Sequence, residues 1–431
     1  MTTSNLRVAE LESTVLAWTD KGLPARADGL TVREFLDSGP RLSEFWTPLL
    51  ALSDDAIDNN LAVMKAWCAA HGIALMPHGK TTMAPALWQR QIDAGAAGIT
   101  LATVGQVRVA RQFGFDSIML ANSAVDARGL RFIAAELADP ELSLCCWADS
   151  VETVDVMERA LAGLQLARPI DVCVELGAAG GRTGARTSAE AREIAQRLHD
   201  STVLRLAGVA GYEGALGHDR SAKSIGAVRD YLGAMTELHL SLRDLYDDAE
   251  VILTAGGSAY FDAVAEVFAG VQSSLPRTRV VVRSGAYLTH DSGFYRGISP
   301  LDASFDGDSS TVGTLTPALR GLVRVVSRPE PELVLVDAGK RDLPFDEGLP
   351  EPRGWAADLG EPMVPLDGAS VVAMNDQHSF VRVPADAPLG IGAVVTVGVS
   401  HPCTAFDKWR YIPVTATETS DLVVDLVKTY F

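Results

Sequence analysis

Met76-Pro77-His78-Gly79-Lys80-Thr81-Thr82 stands where an apolar run of strand length, residues 73–77, gives way to a helical pattern. Similar runs alternate with helical segments along the next two hundred residues. Strands are expected at 98–103, 117–121, 142–148, 170–176, 204–210, 251–255 and 279–283. Helices are expected at 54–70, 105–113, 151–162, 188–199 and 225–246. Buried strands separated by crossover helices are the pattern of a parallel sheet. Counted from residue 73 they make about eight βα steps, the number that closes a barrel. A lysine just past the first barrel strand lies at the C-terminal mouth, the face that carries active sites in such barrels.

The texture changes after Arg283. Helical periodicity fades, and short β-like runs appear at 322–326, 333–337, 371–374, 380–383 and 394–399, punctuated by Gly, Pro and Asp. The expected fold is therefore α/β, a (β/α)8 TIM-like barrel at 46–290 followed by a β-rich domain at 291–431. A further strand is expected at 48–52. Residues 345–362, rich in Gly, Pro and acidic side chains, read as a surface loop, and residues 1–45 as a helical extension.

The 431 residues include 47% hydrophobic and 21% charged side chains, enough apolar material for a large core. The net charge of -18 argues against nucleic acid and anionic membranes as partners, since both need a basic face. No stretch reaches the roughly 20 apolar residues of a membrane span. The first residues show no basic region followed by an apolar run, so a cytoplasmic location is expected. The cysteines, Cys68, Cys145, Cys146, Cys173 and Cys403, are odd in number, and three lie in apolar runs, which suits free thiols better than disulfides.

Three constellations can carry chemistry. Lys80, partly desolvated beside other cations, could lose its proton and form a Schiff base, although a lysine in a βα loop is more often simply solvated. The loops Ala255-Gly256-Gly257-Ser258 and Arg283-Ser284-Gly285-Ala286-Tyr287 follow the last two barrel strands, where glycine lets backbone N–H groups approach a phosphate closely. Ser400-His401-Pro402-Cys403 follows a β run and presents an imidazole and a thiol two positions apart, which suits one soft or borderline cation. Asp376-Gln377-His378 is a further candidate for that site, or a polar turn.

The run Pro77-His78-Gly79-Lys80-Thr81-Thr82-Met83-Ala84-Pro85 resembles the cofactor-lysine motif of the D-serine dehydratase and D-threonine aldolase family, whose members share the alanine-racemase-like fold. The resemblance continues in order through Leu101-Ala102-Thr103-Val104-Gly105, Glu175-Leu176-Gly177 with Gly181-Arg182-Thr183-Gly184, Gly211-Tyr212-Glu213-Gly214 and the two glycine loops, and covers residues 49–411. It departs from the family where another histidine usually follows the lysine; here Thr82 and Met83 stand instead.

The resemblance implies pyridoxal 5'-phosphate on Lys80. It implies His78, Thr103, Arg182, Tyr212, Gly256, Gly257, Ser258, Gly285, Ala286 and Tyr287 around that cofactor. It also implies Zn2+ on His401 and Cys403, with manganese or another divalent cation as the alternative, and a homodimer. The expected reaction is dehydration and deamination of a D-3-hydroxy amino acid such as D-serine or D-threonine. A D-threonine aldolase, a racemase and a non-enzymatic cofactor-binding protein are the other readings. The β-rich second half weighs against the last, and the lack of a clear second base opposite Lys80 weighs against the racemase.

Overall fold

The computed structural model describes residues 8–247, 249–305 and 309–431. Strand β1 is Leu49–Ser53. There follow β2 (Ala74–Leu75), β3 (Ile99–Leu101), β4 (Ser117–Ser123), β5 (Ser143–Ala148), β6 (Ile170–Leu176), β7 (Leu204–Gly211), β8 (Val251–Ala255) and β9 (Thr278–Val282). Strands β2 to β9 form one parallel sheet in the order β2-β9-β8-β7-β6-β5-β4-β3. Its two ends meet. Leu75 O accepts the Ala97 N–H at 2.7 Å, Pro77 O accepts the Thr100 N–H at 2.9 Å, and His78 bridges Thr100 in parallel register. The sheet thus curls into the expected barrel.

Side-chain alternation explains why the barrel is solid. Cys145 and Trp147 of β5 point inward with Met76, Met119, Cys173 and Val281, forming a core of their own. Their neighbours Leu144, Cys146 and Ala148 point outward and join the layer beneath the helices. Those helices start where the sequence supplies caps. Thr103, Ser150, Thr187 and Ser221 each accept a backbone N–H from the first turn of the helix that follows. Ser221 moves one helix start forward, so Ala222–Ser241 replaces the expected 225–246.

The later strands are β10 (Leu319–Glu330), β11 (Leu333–Val336), β12 (Glu351–Ala356), β13 (Val364–Pro365), β14 (Ser370–Met374), β15 (Ser379–Arg382), β16 (Val394–Gly398), β17 (Tyr411–Thr415) and β18 (Val423–Lys428). With β1 they build a second sheet whose main path is β13-β12-β16-β10-β1-β17-β18. The expected grouping of residues 46–290 with the barrel therefore misplaces β1. It pairs antiparallel with β10 and parallel with β17, and all five of its residues are buried. A strand that is buried along its whole length needs cover on both sides, and the middle of this sheet provides it.

Two further expectations change. Residues 345–362 are not all loop, because β12 lies inside them and pairs with β16. Its sequence, Glu-Pro-Arg-Gly-Trp-Ala, has low strand propensity, and a register shift between Pro352 and Gly354 accommodates the proline. The segment before residue 45, of which residues 1–7 lie outside the described residues, holds short turns and the helix Val32–Asp37 rather than an extended helical unit. Gly22, Gly29 and Gly39 at positive φ break it repeatedly. It packs on the second sheet, with the Lys21 ammonium 3.8 Å from the Trp409 ring centre and 2.6 Å from Asp342.

Among the described residues no helix is long and apolar enough to cross a membrane. Cys68, Cys145, Cys146 and Cys173 are buried free thiols, and Cys403 is half-buried.

Candidate active site

A cavity of about 550 Å³ opens between the C-terminal mouth of the barrel and the loop after β16. That is the size range of small-ligand sites. Lys80, His78, Arg182, Tyr212, Gly257, Ser258, Gly285, Ala286, His401 and Cys403 all line it, so most of the expected site residues meet at one place.

Lys80 sits on the tight turn Gly79–Thr81. A Cβ on Gly79 would stand 2.7 Å from the Trp88 indole nitrogen and 2.9 Å from Ile99, so glycine is required to let the turn lie flat on the core. Burial lowers the Lys80 pKa. The Cys403 thiol pulls the other way, and Arg182 and Arg283 reinforce the lowering. The His78 ring is held well below its usual range, chiefly by burial and then by Lys80 and the two arginines. Its Nδ1 is buried and has no hydrogen-bond partner.

Arg283 lies at the floor, 6% exposed, and donates to Thr254 Oγ1 and to Gly211 O, both at 2.6 Å. Burial pushes its guanidinium below the ordinary value. Arg182 lies over the Tyr212 ring at 4.9 Å. Glu175 accepts the Thr183 hydroxyl at 2.8 Å, and burial raises its carboxyl.

The glycine loops are built differently from the expectation. Gly256 and Gly257 each donate their N–H at 2.8 Å to Glu213, a fully buried carboxylate. Those two donors are therefore already engaged, and the two glycines shape the loop instead. Gly256 does so at φ +94, and Gly257 by lying where a Cβ would come within 3.0 Å of the Tyr212 ring. The Ser258 hydroxyl accepts the Ala286 N–H at 3.2 Å, tying the two loops together. Gly285 is closed by contact with His78, whose Cβ would lie 3.0 Å from a Cβ there.

On the far wall, His401 Nδ1 stands 2.8 Å from Asp346 Oδ2, and the Thr404 hydroxyl donates to the other oxygen of Asp346 at 2.7 Å. Burial works against a charged ring, but Cys403 and Asp346 outweigh it and raise His401 to about 9. The Cys403 sulfur is 3.4 Å from the Thr81 hydroxyl, next to Lys80 in sequence. A carboxylate on one imidazole nitrogen leaves the other free to act with the thiol, the arrangement in which histidine commonly holds a metal. Among the described residues, however, no group of three or more His, Cys, Asp or Glu side chains is arranged so that it could hold a metal ion.

Several expected residues lie elsewhere. Thr103 is exposed, and its hydroxyl accepts the Gln106 N–H at 3.2 Å as a helix cap. Tyr287 is buried in the core, with its hydroxyl accepting from Gln91 at 3.1 Å. His378 is exposed and outside the cavity, while Asp376 pairs with Arg341 and Gln377 bonds Asp342. Conversely Arg283, Phe294, Tyr295 and Glu347 line the cavity without having been singled out, and Glu213 and Asp346 brace it from behind. Glu213 and Arg283 stand inside quoted motifs. Asp346 and Glu347 lie in a segment that reads as an ordinary acidic loop.

Residues 318–415 match the model of the putative serine dehydratase domain. A D-threonine aldolase of Arthrobacter sp is 28% identical over 373 residues, covering 86% of this chain and 89% of that protein. The chain is a homologue of D-threonine aldolase and of D-threo-3-hydroxyaspartate dehydratase. The dehydratase, of Delftia sp. strain HT23, is 28% identical over 171 residues, which cover 39% of this chain and 44% of that protein. Its solved structure superposes with a TM-score of 0.71 at 20% identity, over 91% of this chain and 99% of that one. Structures of a D-threo-3-hydroxyaspartate dehydratase include a cysteine-to-alanine variant in a metal-free form and a histidine-to-alanine variant. The crystal structure of D-threonine aldolase from Filomicrobium marinum superposes with a TM-score of 0.76 at 22% identity, over 91% of this chain and 97% of that one. Alanine racemases share the fold at lower similarity, with a TM-score of 0.57 for that of Bacillus anthracis.

Proposed function

We propose that this homologue is a pyridoxal-phosphate- and metal-dependent lyase that converts a D-3-hydroxy amino acid, such as D-serine or D-threonine, to a 2-oxo acid and ammonia. The observation that carries the reading is that Lys80 and the His401–Cys403 pair open onto one cavity, with Asp346 holding the imidazole from outside.

The residues suit the cofactor, and His401 and Cys403 offer a cation two donors. Lys80, with its pKa lowered and cations on two sides, is the amine that would hold the cofactor. Ser258 and Gly285 would receive its phosphate, on two loops that the Ala286 N–H ties together and of which Glu213 braces the first. Bound there, pyridoxal phosphate supplies an electron-poor ring that spreads negative charge developing at Cα. A divalent cation on His401 and Cys403 would supply Lewis acidity at a 3-hydroxyl.

The protein's own part is positional and proton-handling. The Lys80 Nζ, once free and neutral, removes the Cα proton, and its burial lowers the cost of holding it uncharged. Arg182, in the cavity wall over the Tyr212 ring, meets a substrate carboxylate. Tyr212 and Phe294 narrow the cavity and exclude water from the reacting atoms.

The thiol–imidazole donor pair favours zinc over the harder cations and so favours hydroxide departure from C3. Retro-aldol cleavage is the second reading, supported by the aldolase that aligns with 86% of the chain. D-threonine separates the two. The zinc-loaded protein should release 2-oxobutanoate and ammonia, whereas glycine and acetaldehyde as the main products would replace this reading with the aldolase.

A further inference from the structure

We propose that the cavity selects 3-hydroxy amino acids whose C3 substituent is uncharged and apolar or aromatic, and that Glu347 rejects substrates with a second carboxylate. This rests on the lyase reading and sharpens it, because the homologues include enzymes acting on D-threonine and on D-threo-3-hydroxyaspartate, which differ in that feature.

The substituent on C3 must lie near whatever acts on the 3-hydroxyl. In this chain that is the His401–Cys403 wall. The faces around it are aromatic and acidic. The Tyr295 ring centre is 5.6 Å and the Phe294 ring centre 6.0 Å from that of His401. Glu347 follows Asp346, the partner of His401, directly in sequence and lines the same cavity.

A dicarboxylate would need a further lysine or arginine there, and the cavity has none to spare. Its lysine and arginines are Lys80, Arg182 and Arg283. Lys80 is committed to the cofactor. Arg283 is 6% exposed and already donates from both ends of its guanidinium. Arg182 remains for the α-carboxylate that every substrate carries. His78 is held neutral, and His218 stands at the exposed rim beside Asp219. A 3-carboxylate would therefore meet Glu347 without a lysine or arginine of its own, and like charges set against each other discriminate. Glu347 is exposed, so solvent screens part of the effect.

The test uses the zinc-loaded holoprotein and its Glu347→Gln and Glu347→Lys variants. Two readouts are taken with D-threonine and with D-threo-3-hydroxyaspartate: kcat/KM, and the substrate-induced change in the cofactor's visible spectrum, which reports binding without turnover. The unaltered protein should favour D-threonine in both by about tenfold or more. Glu347→Lys should raise kcat/KM and affinity for the dicarboxylate by about tenfold, with Glu347→Gln between and the effect on D-threonine smaller than that on the dicarboxylate. Retained spectral preference without turnover would fail the lyase reading and leave the selectivity standing. Tighter binding of the dicarboxylate by the unaltered protein, no binding of D-threonine, or equal effects of the variants on both substrates would overturn the selectivity. If either variant misfolds, the comparison on the unaltered protein decides alone.

Discussion

Glu213→Gln should loosen the loop that follows β8. The Glu213 carboxylate is fully buried and accepts the N–H groups of Gly256 and Gly257, both at 2.8 Å. It also helps hold the charge of the buried Arg283. The amide keeps one acceptor oxygen but turns an NH2 toward the second N–H, so one charge-assisted hydrogen bond becomes a donor–donor contact. Such a bond contributes about 2 to 3 kcal/mol, and leaving its buried donor unpaired adds to the loss. If the loop opens locally, the Gly256 and Gly257 amides should exchange with deuterium about thirty- to a hundredfold faster. Hydrogen-exchange mass spectrometry on a peptide spanning those residues reads this directly, with the peptide covering β5 as the internal control. A titration of apoprotein with pyridoxal phosphate should show weaker binding in the same variant. Unchanged exchange at the loop and unchanged cofactor affinity would refute the bracing role of Glu213.

Cys403→Ala should lose zinc by elemental analysis yet keep the visible cofactor, because Ser258, Gly285 and Ala286 lie on other loops; full metal retention would remove Cys403 from the donor set. His239 is buried between the Thr278 and Tyr246 hydroxyls, both at 2.9 Å, and burial lowers it to about 4. A depressed histidine stabilises fully above its unfolded value near 6.5 and loses that contribution as pH falls toward 4, about 3 kcal/mol in all. The ring resonances of His239 should therefore stay those of a neutral imidazole at pH 5.5, and titration near 6.5 would contradict the burial argument.

The barrel was legible because its strands are continuous apolar runs and its helices begin at Thr103, Ser150, Thr187 and Ser221, all strong caps. Position in the βα repeat also placed Lys80 and the glycine loops. What stayed hidden depends on contacts between distant segments. Nothing local in Leu49–Ser53 says that it joins β10 and β17 rather than the barrel, since an all-buried strand looks alike in either sheet. Thr103 shows how one residue type serves two purposes. A threonine at a strand end can face a ligand or cap the next helix, and here its hydroxyl is spent on Gln106. Asp346 and Glu347 illustrate the opposite failure. In the sequence they are acidic loop residues, and only the fold brings them to His401 and the cavity. The same holds for Glu213, whose charge is explained by two glycine N–H groups more than forty positions away.

The most direct test of the whole account is where the cofactor attaches. The holoprotein is reduced with borohydride and digested, and the peptides are mapped by mass spectrometry. The phosphopyridoxyl mass should appear on the peptide containing Lys80, and both that adduct and the visible absorbance should vanish in Lys80→Ala. Attachment to any other lysine, or a Lys80→Ala protein that still yields a fixed adduct, would contradict it.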